Sequence, residues 1–291
     1  LALGYRSTVR YYTGASRGRV TGAPVPKAAR RTRVLTGRRL PGFADDTASL
    51  CYAAFLSYLR HPNIRMLLIM PVCLGLFFLF VYGSEWGEKA GRGGQWLPYF
   101  VLLWPFLNFG YILLNVFGID RESFRAMVLL PAPRHKYLLA KNVALFPFVG
   151  GLSLFFIVLG TALTAPGWRT TSVALLQVFQ LYLLFCMVGN FTSILFPYRI
   201  HGNAMRGQTN QPIMILVGLV SMVVVALIML PSTLCLLIDE VMKSSFPYGL
   251  VVSLGLLTFT VFAYVFSLRH AGDLLLEREQ RVLETLVRDR E

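Results

Sequence analysis

Six apolar segments, each long enough to cross a lipid bilayer, dominate this chain of 291 residues. The hydrocarbon core of a bilayer is about 30 Å thick, so a helix that spans it needs about 20 apolar residues, and its backbone groups must pair internally. The sequence therefore predicts an all-α, polytopic membrane helical bundle with six transmembrane helices. These spans are expected at residues 66–82, 96–117, 143–165, 173–196, 213–238 and 248–268.

None of the six segments carries a charged side chain in its interior, and all fourteen acidic residues fall outside them. Carriers that use a proton or ion gradient, and enzymes that work within the membrane, need carboxylates or histidines at that depth. The four cysteines and four histidines show no metal-ligand spacing, and no phosphate-binding loop of the G-x-x-x-x-G-K-[ST] type occurs. We therefore predict no catalytic, cofactor-binding or metal-binding residue, and an external source of energy for any transport.

The net charge of +14 is distributed according to membrane topology. If both termini are cytoplasmic, the segments on that side carry 24 Lys and Arg residues and the opposite loops only four. This asymmetry obeys the positive-inside rule at every loop. The basic excess therefore predicts contact with anionic lipid rather than with nucleic acid, since no soluble domain is present to read a groove.

The N-terminal 40 residues are predicted to be a basic cytosolic linker. They contain ten Lys and Arg residues and no acidic residue. A mitochondrial transit peptide has a similar composition and stays an alternative. Because the chain begins at Leu1 rather than Met, we expect the linker to belong to a longer protein.

Two amphipathic segments flank the spans. Residues 41–65 have Asp45 and Asp46 at the start and basic residues before Pro62, which predicts a helix that ends at this proline. We place this helix in the interface, with an extension of the first span as the alternative. Residues 271–291 have apolar residues three and four apart, which predicts a cytosolic C-terminal helix; a solvated tail is the alternative.

Amide side chains are the main polar groups within the spans. Asn108 and Asn115 are seven residues apart and Gln177 and Gln180 three apart, so each pair shares one helix face. Such amides either bond neighbouring helices to each other or line a path for a substrate. The candidate path residues are Asn108, Asn115, Gln177, Gln180 and Asn190.

The longest polar stretch between spans, residues 118–142, predicts a short amphipathic helix on the cytoplasmic side. Asp120 can cap this helix, and the following prolines should end it. Such a helix, held by two spans, is suited to receive a push from a soluble partner. An ordinary interfacial connector is the alternative.

Four short motifs occur in a fixed order along the chain. They are Asn115-x-Phe117-Gly118-x-Asp120-Arg121-x-x-Phe124, then Pro131 followed by Lys141-Asn142, then Gly189-Asn190-x-x-Ser193-x-x-x-Pro197-x-Arg199, and Arg278-Glu279-Gln280-x-x-Leu283-Glu284. With these motifs the sequence resembles the permease subunit of ABC-2 type exporters from about Arg38 to its end.

The resemblance implies a six-helix permease domain over residues 41–291, in a bacterial cytoplasmic membrane, without an ATP site of its own. A separate ATP-binding ABC subunit would dock under the coupling helix, and a second six-helix permease unit, in the same longer chain or as a homodimer, would complete the path. The coupling contacts implied are Asp120, Arg121, Phe124, Arg125, Met127 and Val128.

One segment departs from the family pattern. The loop at residues 239–246 is shorter than the re-entrant hairpin of some relatives, so residues 229–238 are the alternative source of that hairpin. A membrane scaffold or assembly protein that does not transport anything is the alternative function, since its spans would equally lack charge.

Overall fold

The structure of the chain is a computed structural model. It describes residues 45–89, 101–120, 123–130, 132–198, 200, 212–242 and 245–287. The basic linker at residues 1–40 lies outside this part of the chain. The helices of the described part are α1 (Asp45–Arg60), α2 (Pro62–Lys89), α3 (Leu103–Leu113), α4 (Ser123–Val128), α5 (Arg134–Thr164), α6 (Trp168–Leu195), α7 (Pro212–Val241) and α8 (Tyr248–Val287).

Three of these helices, α5, α6 and α8, are long and apolar enough to cross a membrane. The prediction of an all-α fold with helices suited to a membrane is therefore confirmed, and the described residues contain no strand. Shorter apolar stretches lie in α2, in α3 and near the end of α7. The count of six spans stays a prediction.

The helices α5 and α6 form an antiparallel hairpin around which the others pack. Ala165 ends α5 in a left-handed conformation with φ of 43°, and its N–H bonds the carbonyl of Thr161 at 2.9 Å. Pro166 cannot continue the helix, and α6 begins at Trp168. Along the hairpin, Phe146 of α5 contacts Phe179 and Tyr182 of α6, at 5.4 and 5.0 Å between ring centroids.

The first two helices are separated at His61, as predicted from Pro62. Helix α1 is therefore not a continuation of α2. It packs mainly on α5, with Phe55 stacked on Phe148 at 5.2 Å between ring centroids. Whether α1 lies in the membrane interface stays a prediction.

The last helix corrects one expectation. The sequence predicted a span at residues 248–268 and a separate cytosolic helix within 271–291, whereas α8 runs without a break over 40 residues. At 1.5 Å per residue it is about 60 Å long, roughly twice the hydrocarbon core. One end of α8 must therefore project from the bilayer.

Helix α7 also runs without a break, through Pro231 to Val241. Residues 229–238 therefore continue this helix and do not form a re-entrant hairpin. The buried carboxylate of Asp239 accepts hydrogen bonds from the backbone N–H groups of Tyr248 at 3.1 Å and Gly249 at 2.9 Å. It thus satisfies donors that the first turn of α8 leaves unpaired.

Helix α3 ends against α6 at a point where no side chain can be accommodated. A Cβ atom on Gly189 would lie 1.8 Å from the carbonyl oxygen of Leu113. Beyond this contact, the hydroxyl of Thr192 lies 2.6 Å from the carbonyl oxygen of Leu114, and the N–H of Val116 donates to Ser193 Oγ at 2.8 Å. Side chains of α6 therefore form hydrogen bonds with backbone groups at the end of α3, which would otherwise be unpaired in an apolar environment.

We predict that Gly189→Ala destabilises the protein by about 1–3 kcal/mol, because the new methyl group would force α3 away from α6. Thermal unfolding in detergent measures the effect. The control is Gly151→Ala on α5, where a Cβ atom meets nothing within 4 Å. Equal melting temperatures for the two variants would contradict this account of the α3–α6 contact.

Candidate functional site

A buried polar cluster lies where α3 ends against α5, α6 and the turn that leads to α4. It contains residues of three of the four sequence motifs, which are far apart in the chain. We use the name polar cluster for Asn115, Asp120, Tyr137, Lys141, Asn142, Tyr182, Asn190, Thr192, Ser193, Tyr198 and Tyr264. We refer to this part of the bundle as its α4 end.

An ion pair between Asp120 and Lys141 is the only charged contact of the cluster among the described residues. Both side chains are at least 95% buried. The hydroxyl of Tyr137 donates to the other carboxylate oxygen at 3.1 Å, and Lys141 Nζ lies 5.1 Å from the ring centroid of Tyr58. Burial, and then the nearby charge of Asp120, raise the pKa of Tyr58 well above its usual value, so its phenol stays neutral.

This ion pair changes the role expected for Asp120. The carboxylate does not cap the short helix; the N–H and hydroxyl of Ser123 instead donate to the backbone carbonyl of Asp120, at 2.8 and 2.6 Å. The Asp120 side chain faces into the protein and ties the turn after α3 to α5. In this arrangement it does not lie on a surface that a docked ATPase could contact.

Asn142 joins three helices at the cluster. Its side-chain amide donates to Tyr264 Oη of α8 at 2.9 Å and to Asn190 Oδ1 of α6 at 3.3 Å. The hydroxyl of Tyr182 donates to the backbone carbonyl of Asn142. For Asn190, predicted as a path residue, the structure therefore shows a bond between helices.

The amides of α3 and the turn after it are also bonded within the protein. Asn115 donates to the carbonyl of Tyr198 at 2.6 Å, and the hydroxyl of Tyr198 donates back to the carbonyl of Tyr111 at 3.0 Å. Asn108 donates to the carbonyl of Trp104, one turn earlier in its own helix, at 2.8 Å. In both residues it is the amide nitrogen that is bonded, and Oδ1 of Asn115 has no hydrogen-bond partner among the described residues.

Gln177 and Gln180 differ from the other three predicted path residues. Both are fully buried on α6, and neither end of either amide has a hydrogen-bond partner among the described residues. They lie about three turns along α6 from Asn190, and Gln180 is two residues before Tyr182, whose hydroxyl reaches the polar cluster.

The short helix α4 turns its apolar side inward. Phe124 and Met127 are buried, and the Phe124 ring meets Phe117 edge-on at 5.2 Å between centroids. Val128 is half-buried, whereas Arg125 is exposed. Of the predicted coupling residues in the described part of the chain, Arg125 therefore presents the most accessible side chain, and Arg121 lies outside that part.

The exposed side of α4 has apolar neighbours that the sequence analysis did not select. Leu129 is 83% exposed, and Leu130 and Ala126 are exposed as well. Together with Arg125 they form a small surface, which we call the α4 surface.

Arg134 holds the end of α4 against α8. Its guanidinium donates to the carbonyls of Val128 at 3.0 Å and Leu130 at 3.1 Å, while Nε donates to Glu279 Oε2 at 2.7 Å. A fork of donors is well matched to carbonyls at a helix C-terminus and to a carboxylate. The contact, which we call the Arg134 clamp, ties α4 to the projecting part of α8.

No protein-family model, curated protein or solved structure matches this chain. In the described ranges, no three His, Cys, Asp or Glu side chains lie close enough together to hold a metal ion. What the site does must therefore be argued from its own geometry.

We predict that Lys141→Met destabilises the protein by about 3–5 kcal/mol, because it leaves the Asp120 carboxylate buried without its cation. The double variant Asp120→Asn with Lys141→Met should recover much of this loss, because no buried charge remains. A double-mutant cycle measured by thermal unfolding gives the coupling between the two positions. Strictly additive effects would show that the pair does not interact as described.

Proposed function

We propose that this chain is the transmembrane permease subunit of an ATP-driven exporter of the ABC-2 type, and that a separate ATPase docks on the α4 surface. The observation that carries the proposal is a short amphipathic helix, buried on its inner side and exposed on its outer side, between apolar helices of a membrane bundle. Such an element can receive force from a soluble protein and pass it to the spans.

The fixation of α4 supports a mechanical role. Its inner face is anchored by two buried side chains, its preceding turn by the Asp120–Lys141 pair, and its end by the Arg134 clamp. A helix held at all three points moves with its surroundings rather than bending away from a load. An ordinary connector between two spans has no need of a buried ion pair and a forked arginine.

The Arg134 clamp extends the proposal to the C-terminal helix. Glu279 lies in the part of α8 that follows the predicted sixth span, so α4 and this arm of α8 are joined side by side. A Cβ atom on Gly272 would lie 2.8 Å from the backbone nitrogen of His135, so α8 also passes very close to the start of α5. A push on α4 would therefore act on α5 and α8 together.

The finer arrangement is part of the same proposal. It has six spans with both termini on the cytoplasmic side, as the distribution of basic residues indicates, in a bacterial cytoplasmic membrane. A second six-helix unit would complete the path. ATP hydrolysis would belong to the docked subunit, because the sequence contains no phosphate-binding loop.

We predict that Arg125→Glu combined with Leu129→Asp weakens binding of the ATPase on the order of tenfold to a hundredfold, because both changes alter the exposed α4 surface and no buried contact. The tagged chain is purified from native membranes, co-purifying proteins are identified by mass spectrometry, and ATP turnover of the preparation is measured. Membrane insertion should be unchanged, since the spans govern it.

The control is Arg169→Glu, which makes the same charge reversal at a half-buried arginine at the start of α6, the end of that helix remote from α4. It should leave ATPase recovery and turnover unaltered. A scaffold protein would show no dependence on the α4 surface, so recovery of the same ATPase with both variants would favour that alternative.

A further inference from the structure

The two glutamines of α6 are the most unusual polar groups in the described part of the chain. Gln177 and Gln180 are fully buried, and their four amide atoms have no partner there. An amide in an apolar environment without hydrogen bonds is strongly unfavourable. Two such amides lie one turn apart on the same face of α6. A ligand that both donates and accepts hydrogen bonds would satisfy them.

The depth of these amides in the bundle follows from their distance along α6 from Asn190, which bonds Asn142 in the polar cluster. Gln180 is ten residues from Asn190, which is about 15 Å along the helix. Since the hydrocarbon core is about 30 Å thick, the glutamines lie near its middle if the polar cluster lies near one surface.

One further buried polar side chain lies at this level. Tyr264 of α8 bonds Asn142, which also bonds Asn190, so Ser253, eleven residues before Tyr264, lies at about the height of the glutamines. Ser253 is fully buried, and its hydroxyl donates to the carbonyl of Gly249 in its own helix, which leaves its oxygen able to accept. On α5 the side chain against Phe179, between the two glutamines, is Phe146, with 5.4 Å between ring centroids.

We propose that Gln177 and Gln180, with Ser253 at the same level, form an internal site that binds water in the middle of the membrane. Water is the smallest ligand that satisfies amide nitrogens and amide oxygens together, and a buried water commonly makes about three such bonds. No charged side chain is placed at this level by the described helices, so the site suits uncharged hydrogen-bonding groups rather than ions.

The inference rests on the proposed function only in one respect, namely that the site would be the hydrated midpoint of the substrate path. The glutamines therefore form a different class from Asn115 and Asn190, whose amides bond one helix or loop to another. A site that is satisfied by water can exchange water for a passing polar group, whereas a bond between helices cannot be exchanged without separating them.

Accessibility to water is tested with cysteine variants of the full chain in membranes. A small, positively charged methanethiosulfonate reagent reacts with thiols that water reaches, because the reactive form is the thiolate. Gln177→Cys and Gln180→Cys are expected to react on the order of tenfold faster, or more, than Phe179→Cys. Phe179 is a matched control on the same turn of α6, and its side chain is half-exposed on the outside of the bundle.

Mass spectrometry locates the label, and the native Cys186, buried on the same helix, is the internal reference. Ser253→Cys adds a conservative variant in case a glutamine variant fails to fold, and it should also react faster than Phe179→Cys. Reaction at the glutamine and serine positions that is no faster than at Phe179→Cys and Cys186 overturns the proposal. The experiment needs no ATPase, so its failure would leave the docking proposal standing, and failure of docking would leave this site standing.

Discussion

The Asp120–Lys141 ion pair is the interaction on which the arrangement of the α4 end depends. A buried charge is tolerated only when an opposite charge and hydrogen bonds compensate for lost solvation. Here the partners come from the turn after α3 and from α5, with Tyr137 and Tyr58 completing the surroundings. The turn cannot leave α5 without exposing both charges to an apolar interior. The position of α4, which follows this turn directly, is thereby fixed.

The polar groups of the bundle fall into two populations with different consequences. At the α4 end, side-chain amides and hydroxyls are bonded across helices, from Asn142 to Tyr264 and from Asn115 to Tyr198. Near the middle of the hairpin, the glutamines have no such bonds to described residues. Cross-helix bonds resist separation of the helices, so the α4 end is the stiffer part. A stiff end and an unsatisfied middle would suit the proposed role of a permease that is pushed from one side.

Much of the fold could be predicted from the sequence because apolar length and prolines act locally. The break at Pro62 and the reversal at Ala165 and Pro166 follow from such local rules. The length of α8 could not be predicted, since its charged half has the same helical period as its apolar half and no residue between them breaks a helix. The polarity of the residues suggested a boundary, but polarity sets the environment of a helix and not its end.

The candidate site was predictable only in outline. The motifs pointed to Asp120, Lys141 and Asn190, yet not to the contacts that these residues make, because an ion pair across 21 residues and a bond across 48 residues leave no periodic pattern. Tyr182 and Tyr264 were missed because an aromatic residue in an apolar helix usually packs in the hydrophobic core. Phe124 and Met127 were implied as coupling contacts, and their burial could not be predicted because an amphipathic helix shows which side is apolar, but not whether that side faces the protein or a partner.

The Arg134 clamp links the two groups of polar side chains, namely the bonded ones at the α4 end and the unbonded glutamines. It fastens α4 to the projecting part of α8, and α8 carries Tyr264 in the polar cluster and Ser253 at the level of the glutamines, all in one unbroken helix. A helix transmits axial and lateral displacement over its length because its backbone bonds are satisfied internally. Displacement of α4 would therefore shift α8, including Ser253, relative to the glutamines. This path of displacement, from α4 through α8 to the glutamines, requires no charged side chain within the membrane. The predicted spans carry none.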